Sequence, residues 1–226
     1  MCFSAGASFG AGIVLSAIGM ASIRKVKSMP QILFASIPLM FAAQQITEGL
    51  LWITLRDPSF VSIQRNLTYV FLFLAQVTWP VWIPISILLL DKGTKYKRIQ
   101  KVFVFMGVVI SIYLGYCLFV FPVEAQIMDY HILYVLHYPH TRSLFGSVFY
   151  IVAILAPPFF STVKRLWMLG LIVFFSFLVS ILFYQYYFVS VWCFFASITS
   201  VSVLFILREI NESKNTVLPV PSQLIV

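Results

Sequence analysis

The chain has 226 residues, 61% hydrophobic and 17% aromatic, with 10% charged where a soluble domain carries about 25%. That balance excludes a water-soluble single core, a disordered chain, a collagen-like fibre and a nucleic-acid reader. The formal charge of +8 reads as membrane topology, because the basic residues fall between apolar runs, and three cysteines make no disulfide framework.

Seven mostly apolar runs, each of roughly the 20 residues that cross about 30 Å of hydrocarbon, predict seven transmembrane helices. They cover about 4–23, 31–55, 66–90, 102–123, 144–162, 167–184 and 188–207. Lipid offers no water to pair backbone groups, so the expected fold is an all-α seven-helix bundle in residues 1–207. The first run has its charges behind it, which predicts a retained span and not a cleaved signal peptide. It carries Gly6 and Gly10, then Ser8, Gly12 and Ser16, at four-residue steps, a seam for close packing. The third run contains Pro80 and Pro84, the fifth Pro157 and Pro158; both pairs remove backbone donors and predict kinks. In the loop 124–143, Met128, Ile132, Val135 and Leu136 recur at helical spacing, which predicts a short interfacial helix. The seventh run presents Ser190, Cys193, Ser197 and Ser200 on one face, a second packing seam. The polar tail 208–226, with Pro219 and Pro221, reads as a loose end.

The loops fix an orientation. Arg24, Lys25 and Lys27 occupy the first, Lys92, Lys95, Lys97, Arg98 and Lys101 the third, Lys164 and Arg165 the fifth, and Arg208 and Lys214 the tail. Only Arg56, Arg65 and Arg142 lie in loops of the other parity. The positive-inside rule then places the N-terminus outside and the C-terminus in the cytoplasm, as in a multi-pass protein of the cell membrane.

Within these spans Glu48 is the one acidic residue, about 10 Å below the outer boundary of the second helix. A carboxylate there must be paired, hydrogen-bonded or neutral, and it is the first candidate for chemistry, as ligand or general base. Gln45 at minus three, Gln44 at minus four and Trp52 at plus four build one polar-aromatic face around it. The plain alternative is interhelical glue. All three histidines, His131, His137 and His140, fall in the outer loop. On a helix His131 and His137 would point about 120° apart, so they would not chelate one ion. His131 with Tyr134 would instead cover the bundle mouth. Cys2 lies at that mouth and Cys117 and Cys193 roughly 9 Å deep. If the first, second, fourth and seventh helices adjoin, Cys2, Glu48, His131 and Cys193 could converge on a transition metal. Thiolate, imidazole and carboxylate with a water suit catalytic zinc, and thiolate with imidazole suits copper or haem iron. Against this stands the ordinary role of free Cys as a small buried hydrophobe.

The opening Met1-Cys2-Phe3-Ser4-Ala5, with Ser8-Phe9, resembles a bacterial family of uncharacterised multi-pass membrane proteins that begin Met-Cys-Phe/Trp-Ser-Ala. The likeness extends to Gln44-Gln45, Glu48-Gly49 and Trp52, to His131-Ile132 with Tyr134, and to Trp192-Cys193-Phe194-Phe195-Ala196. It implies a bacterial inner-membrane protein and adds Trp192 to the candidate binding residues Gln45, Trp52 and Tyr134, but it brings no activity. Microbial rhodopsins share the topology, yet they hold retinal on a lysine in the seventh span, and 188–207 has none. Zinc hydrolases related to alkaline ceramidases place their histidines inside helices, unlike this chain.

Three function classes follow. One is a membrane-embedded enzyme acting on a lipid or apolar small molecule, with Glu48 and His131 catalytic. A second is a transporter of a small molecule, ion or proton through Glu48. The third is a non-catalytic sensor or assembly partner. The expected partners are the bilayer and an apolar ligand, with self-association left open.

Overall fold

The structure, a computed structural model, describes residues 4–139 and 144–215. Ser4 caps helix α1 (Ala5–Arg24) by accepting the Ala7 N–H at 3.2 Å. Ser8, Gly12, Leu15, Gly19 and Ser22 form the buried face of α1. That four-three spacing lies against α3 (Ile37–Thr54), where a Cβ on Gly12 would meet Ile46 at 2.7 Å. Gly6 and Gly10, expected in the seam, have no neighbour within 4 Å of where a Cβ would stand. The seam follows heptad-like steps and not a strict period of four. Before α3, a 3-10 turn (Met29–Gln31) and a short helix α2 (Ile32–Ala35) complete the second segment. The break falls at Ser36, two residues before Pro38, whose ring and missing N–H disfavour a continuous helix.

The third segment runs unbroken from Pro58 to Leu90 as α4 (Val61–Leu72), a π-helical stretch (Phe73–Thr78) and α5 (Trp79–Leu90). The kink expected from Pro80 and Pro84 thus takes the form of a widened turn just before Pro80. Its displaced carbonyls find side chains: Ser111 donates to Val77 at 2.7 Å, and Tyr150 donates to Ala75. Pro84 also leaves the Pro80 carbonyl without its helical donor. Helix α6 (Lys97–Val120) comes so close there that a Cβ on Gly107 would collide with the Pro80 oxygen. Helices α7 (Leu144–Leu155), α8 (Leu166–Phe183), α9 (Phe188–Ser197) and α10 (Thr199–Asn215) complete the bundle.

Among the described residues, five helical segments are long and apolar enough to cross a membrane. They are Ala5–Arg24, Pro58–Leu90, Lys97–Val120, Leu166–Phe183 and Gln185–Glu212. The second segment, with its polar Gln44, Gln45 and Glu48, and the shorter apolar Gly146–Phe159 bring the helical segments to the expected seven.

Three expectations need correction. Over its described residues, 124–139, the loop is not the expected interfacial helix; it folds as an antiparallel hairpin of β1 (Val123–Met128) and β2 (His131–Leu136), with Val123 opposite Leu136 and Met128 opposite His131. A step of four residues suits a strand as well as a helix, and Ile127, Ile132, Tyr134 and Val135 are strand formers. Asp129 makes the tight turn with a left-handed φ of 53°, which aspartate tolerates better than most residues. His131 and His137 still cannot share an ion, because six extended residues separate them by about 20 Å. His140 lies outside the described residues. Secondly, the prolines of the fifth run end it: Pro157–Phe159 is a 3-10 turn. Thirdly, the tail is helical as far as Asn215, held by Arg165–Glu209 at 3.3 Å and by the Asn211 amide on the Lys25 carbonyl at 2.6 Å.

The connections sort to two ends. At one, Ser28, Gln31, Asp91, Gly93, Thr162 and Glu209 surround a cavity of about 380 Å³. Asp91 ties that end together, accepting from Gly93 N–H (2.8 Å), Gln100 Nε2 (3.0 Å), Ser161 Oγ (2.9 Å), Thr162 N–H (2.7 Å) and the Thr162 hydroxyl. Burial opposes its ionisation, but the hydrogen bonds from Thr162, Gly93 and Ser161 outweigh burial and hold its pKa below the usual range. At the other end, Leu55, Gln64, Arg65 and Tyr69 face Pro122–Gln126 of the hairpin strand.

Candidate functional site

The site sits where α3, α9 and the hairpin meet. Gln44, Gln45, Glu48 and Trp52 lie one to two turns apart on α3, so one fan of that helix carries all four inward. None is more than 2% exposed. Glu48 accepts a hydrogen bond from the hydroxyl of Ser190, on the first turn of α9, and Ser190 is itself fully buried. One turn further, Cys193 faces the Gln44 amide and lies within electrostatic reach of Glu48. Gln44 is fixed from the other side by Trp79, whose indole N–H donates to it at 3.0 Å while the ring stacks on Phe41. The structure therefore places Cys193 near Glu48, with Ser190, a residue of the seventh-run seam, bonded to the carboxylate between them.

The hairpin closes this layer from the end. Tyr134 is buried and stacks on Phe71 with centroids 4.6 Å apart. It shares an apolar cluster with Trp52, Cys117 and Cys193. His131 stacks on Tyr187 at 4.4 Å, three residues before Ser190. Burial holds its imidazole pKa below the usual value, against the opposing pull of Asp129. Cys2 lies outside the described residues. Among the described residues, no three His, Cys, Asp or Glu side chains group as a metal site.

Hydrogen bonding in the layer is incomplete. Both amide atoms of Gln45, the indole N–H groups of Trp52 and Trp192, and the Ser8 hydroxyl are buried and make no hydrogen bond to any described residue. Ser8 belongs to the same level, since Phe9 beside it packs on Gly49. Each such atom costs about 1–3 kcal/mol when left unmatched, so this layer carries an unusual concentration of unmet hydrogen-bonding capacity.

A cavity borders the layer at Trp192 and Cys193. Gln76, Leu114, Ser147, Tyr150, Trp192 and Cys193 line a cavity of about 160 Å³ between α6, α7 and α9. Ser147, one of its lining residues, is exposed. A second, smaller space of about 30 Å³ continues inward past Phe41 and Trp79 and shares Tyr150, Trp192 and Cys193 with the first. Trp192 is wedged there between Phe188 (5.2 Å) and Tyr150 (5.8 Å). Gln76, on the π-helical stretch, accepts from Tyr138 at 3.0 Å. Sequence reasoning missed Ser190, Gln76 and Tyr150 as site residues. Gln76 alone leaves a signal, a lone amide in the first half of an apolar run.

A family model described as a family of unknown function, DUF6629, matches residues 1–217. No curated protein and no solved structure matches the chain.

Proposed function

The chain belongs to the DUF6629 family, of unknown function, and we propose from its site that it is a seven-span membrane protein which binds an uncharged, lipid-soluble molecule. The carrying observation is the set of buried, unmatched polar atoms around Glu48, beside a cavity lined from α6, α7 and α9 that touches the layer at Trp192 and Cys193. Donors outnumber acceptors among those atoms, so the guest presents oxygen acceptors such as a carbonyl, ether or hydroxyl. No lysine or arginine lines either cavity, which disfavours a phosphate head. The space holds a ring or a short polar head, and an alkyl tail would remain in lipid. In this reading the N-terminus is outside, the basic end faces the cytoplasm of a bacterial cell, and the site lies in the outer half of the inner membrane.

The contact of Ser190 with Glu48 supports a second reading, in which the bound molecule also reacts. A hydroxyl held by a carboxylate is the arrangement of a nucleophile and its base. The transition-metal reading rests with elemental analysis: a stoichiometric metal lost on Glu48→Gln would favour a Glu48–Cys193 centre over an organic guest.

The test of binding uses a diazirine-bearing monoacylglycerol, with the matching phosphatidic acid as charged control. The neutral probe should label α6, α7 and α9 around Trp192, excess unlabelled monoacylglycerol should block it, and Gln45→Leu should weaken it. Label spread evenly over the lipid-facing helices and indifferent to competitor would refute the proposal.

A further inference from the structure

We propose that the cleft between the end of α1 and the last turns of α10 binds the phosphate of an anionic phospholipid. Arg24, Lys25, Lys27 and Arg208 surround a space of about 370 Å³ with Asn211 and Glu212, so four cations face one carboxylate. This is a built cleft. Asn211, 6% exposed, donates to the Lys25 carbonyl at 2.6 Å and accepts from Gln31 Nε2 at 3.1 Å. Gln31, 2% exposed, in turn accepts the Lys27 N–H at 2.8 Å. Two buried amides thus lock the connecting segment that carries Lys25 and Lys27 onto α10, which sets the cations before any ligand arrives. On α10, Arg208 Nε donates to Glu212 at 3.2 Å.

What lies beside the cleft identifies a lipid and not a free anion. On α1, Ile13 (69% exposed), Met20 (54%) and Arg24 fall in one row along the helix. On α10, Val201 (45%), Phe205 (60%) and Arg208 fall in another. The two helices pack against each other. Each row therefore runs from a cation at the membrane boundary down an uncovered apolar surface, the shape of a headgroup with two acyl chains. Basic pockets between helices select anionic headgroups by this combination of local charge and chain contact, each cation near the surface contributing about 5-fold in affinity.

The experiment is lipid titration followed by native mass spectrometry on the full chain in detergent. Phosphatidylglycerol should be retained in preference to phosphatidylcholine, and soluble glycerol 3-phosphate should not displace it. The triple variant Arg24→Gln, Lys25→Gln, Arg208→Gln should weaken that retention on the order of 100-fold. A control triple of equal charge outside the cleft, Lys95→Gln, Lys97→Gln, Arg98→Gln, should leave it within about 3-fold, below the effect of a single cleft charge. Equal losses in the two triples would reduce the effect to net charge and overturn the site. Displacement by glycerol 3-phosphate would overturn the lipid in favour of a soluble anion. Should the cleft triple fail to fold, Met20→Ser with Phe205→Ser decides the matter without touching charge. It should weaken phosphatidylglycerol on the order of 5-fold, and unchanged retention would refute the acyl rows.

Discussion

Removing the Ser190 hydroxyl should harm the protein more than removing both it and Glu48. Ser190→Ala takes a donor from a carboxyl oxygen that is fully buried. Losing a donor to such an acceptor costs about 1–3 kcal/mol, so Ser190→Ala should lower stability by about 2 kcal/mol. Glu48→Leu is milder, because a serine left alone in a helix turns its hydroxyl to a carbonyl one turn back, as Ser180 does with Ser176. With both changes that one contact is apolar on both sides, and the double variant should recover about half or more of the Ser190→Ala loss. The assay is unfolding in mixed micelles of a mild detergent and dodecyl sulfate, followed by circular dichroism. Non-additivity of about 1 kcal/mol or more establishes the pair; additivity within about 0.5 kcal/mol would refute it. The same variants separate stability from binding, since Glu48→Leu should lose the monoacylglycerol label even where the fold is retained.

Four further outcomes follow from the geometry. Asp91→Ala should cost about 3–5 kcal/mol, read in the same unfolding assay, because it strands donors on two loops at once. Because the Asp91 pKa is lowered in the fold, its stabilisation is complete above the unfolded value near 4 and fades as pH falls through the folded value. An acid titration of stability should therefore flatten in Asp91→Asn. His131 shifts downward too, but as a base: below about pH 6.5 the unfolded chain takes the proton first, so the hairpin should loosen as the medium acidifies. Amide exchange of β2 should report this, and His131→Gln should abolish the dependence. Finally, Gly107→Ala should cost about 1–3 kcal/mol in the unfolding assay, since the new methyl group meets the Pro80 carbonyl, which cannot move without disturbing the widened turn.

How much of this was legible depends on whether a residue has one physical outlet or several. Glu48 was readable because a carboxylate deep in an apolar run has few tolerable states, and the structure does bring Ser190 and Cys193 to it. Serine is ambiguous by nature. Ser197 bonds back to Phe194 at 2.5 Å within its own helix, while Ser190, on the same face, reaches across to Glu48, and only the neighbouring helix decides which happens. Asp91 escaped notice for the opposite reason: at the edge of an apolar run it looks like any boundary charge, although it organises one whole end of the bundle. The hairpin was misread because Met128, Ile132 and Leu136 step by four, an even number that also approximates a helical turn.

The difference between a helix and a hairpin there bears on mechanism. A helix over the mouth would have aimed His131 by its own rotation, independently of its neighbours. A two-stranded ribbon is marginal alone, so this one takes its position from what it lies on: Phe71 under Tyr134, and Tyr187 under His131. Tyr187 precedes Ser190 by three residues, on the 3-10 turn that leads into α9. Whatever displaces Ser190 from Glu48 therefore also moves the surface on which His131 rests. On the proposed function, binding in the buried layer and order in the hairpin become one equilibrium, in which a guest at Gln45 and Glu48 should slow amide exchange in β2 as it binds. Exchange in β2 that is identical with and without saturating monoacylglycerol, in a protein that demonstrably takes the label, would break that link and leave the hairpin as a passive cover.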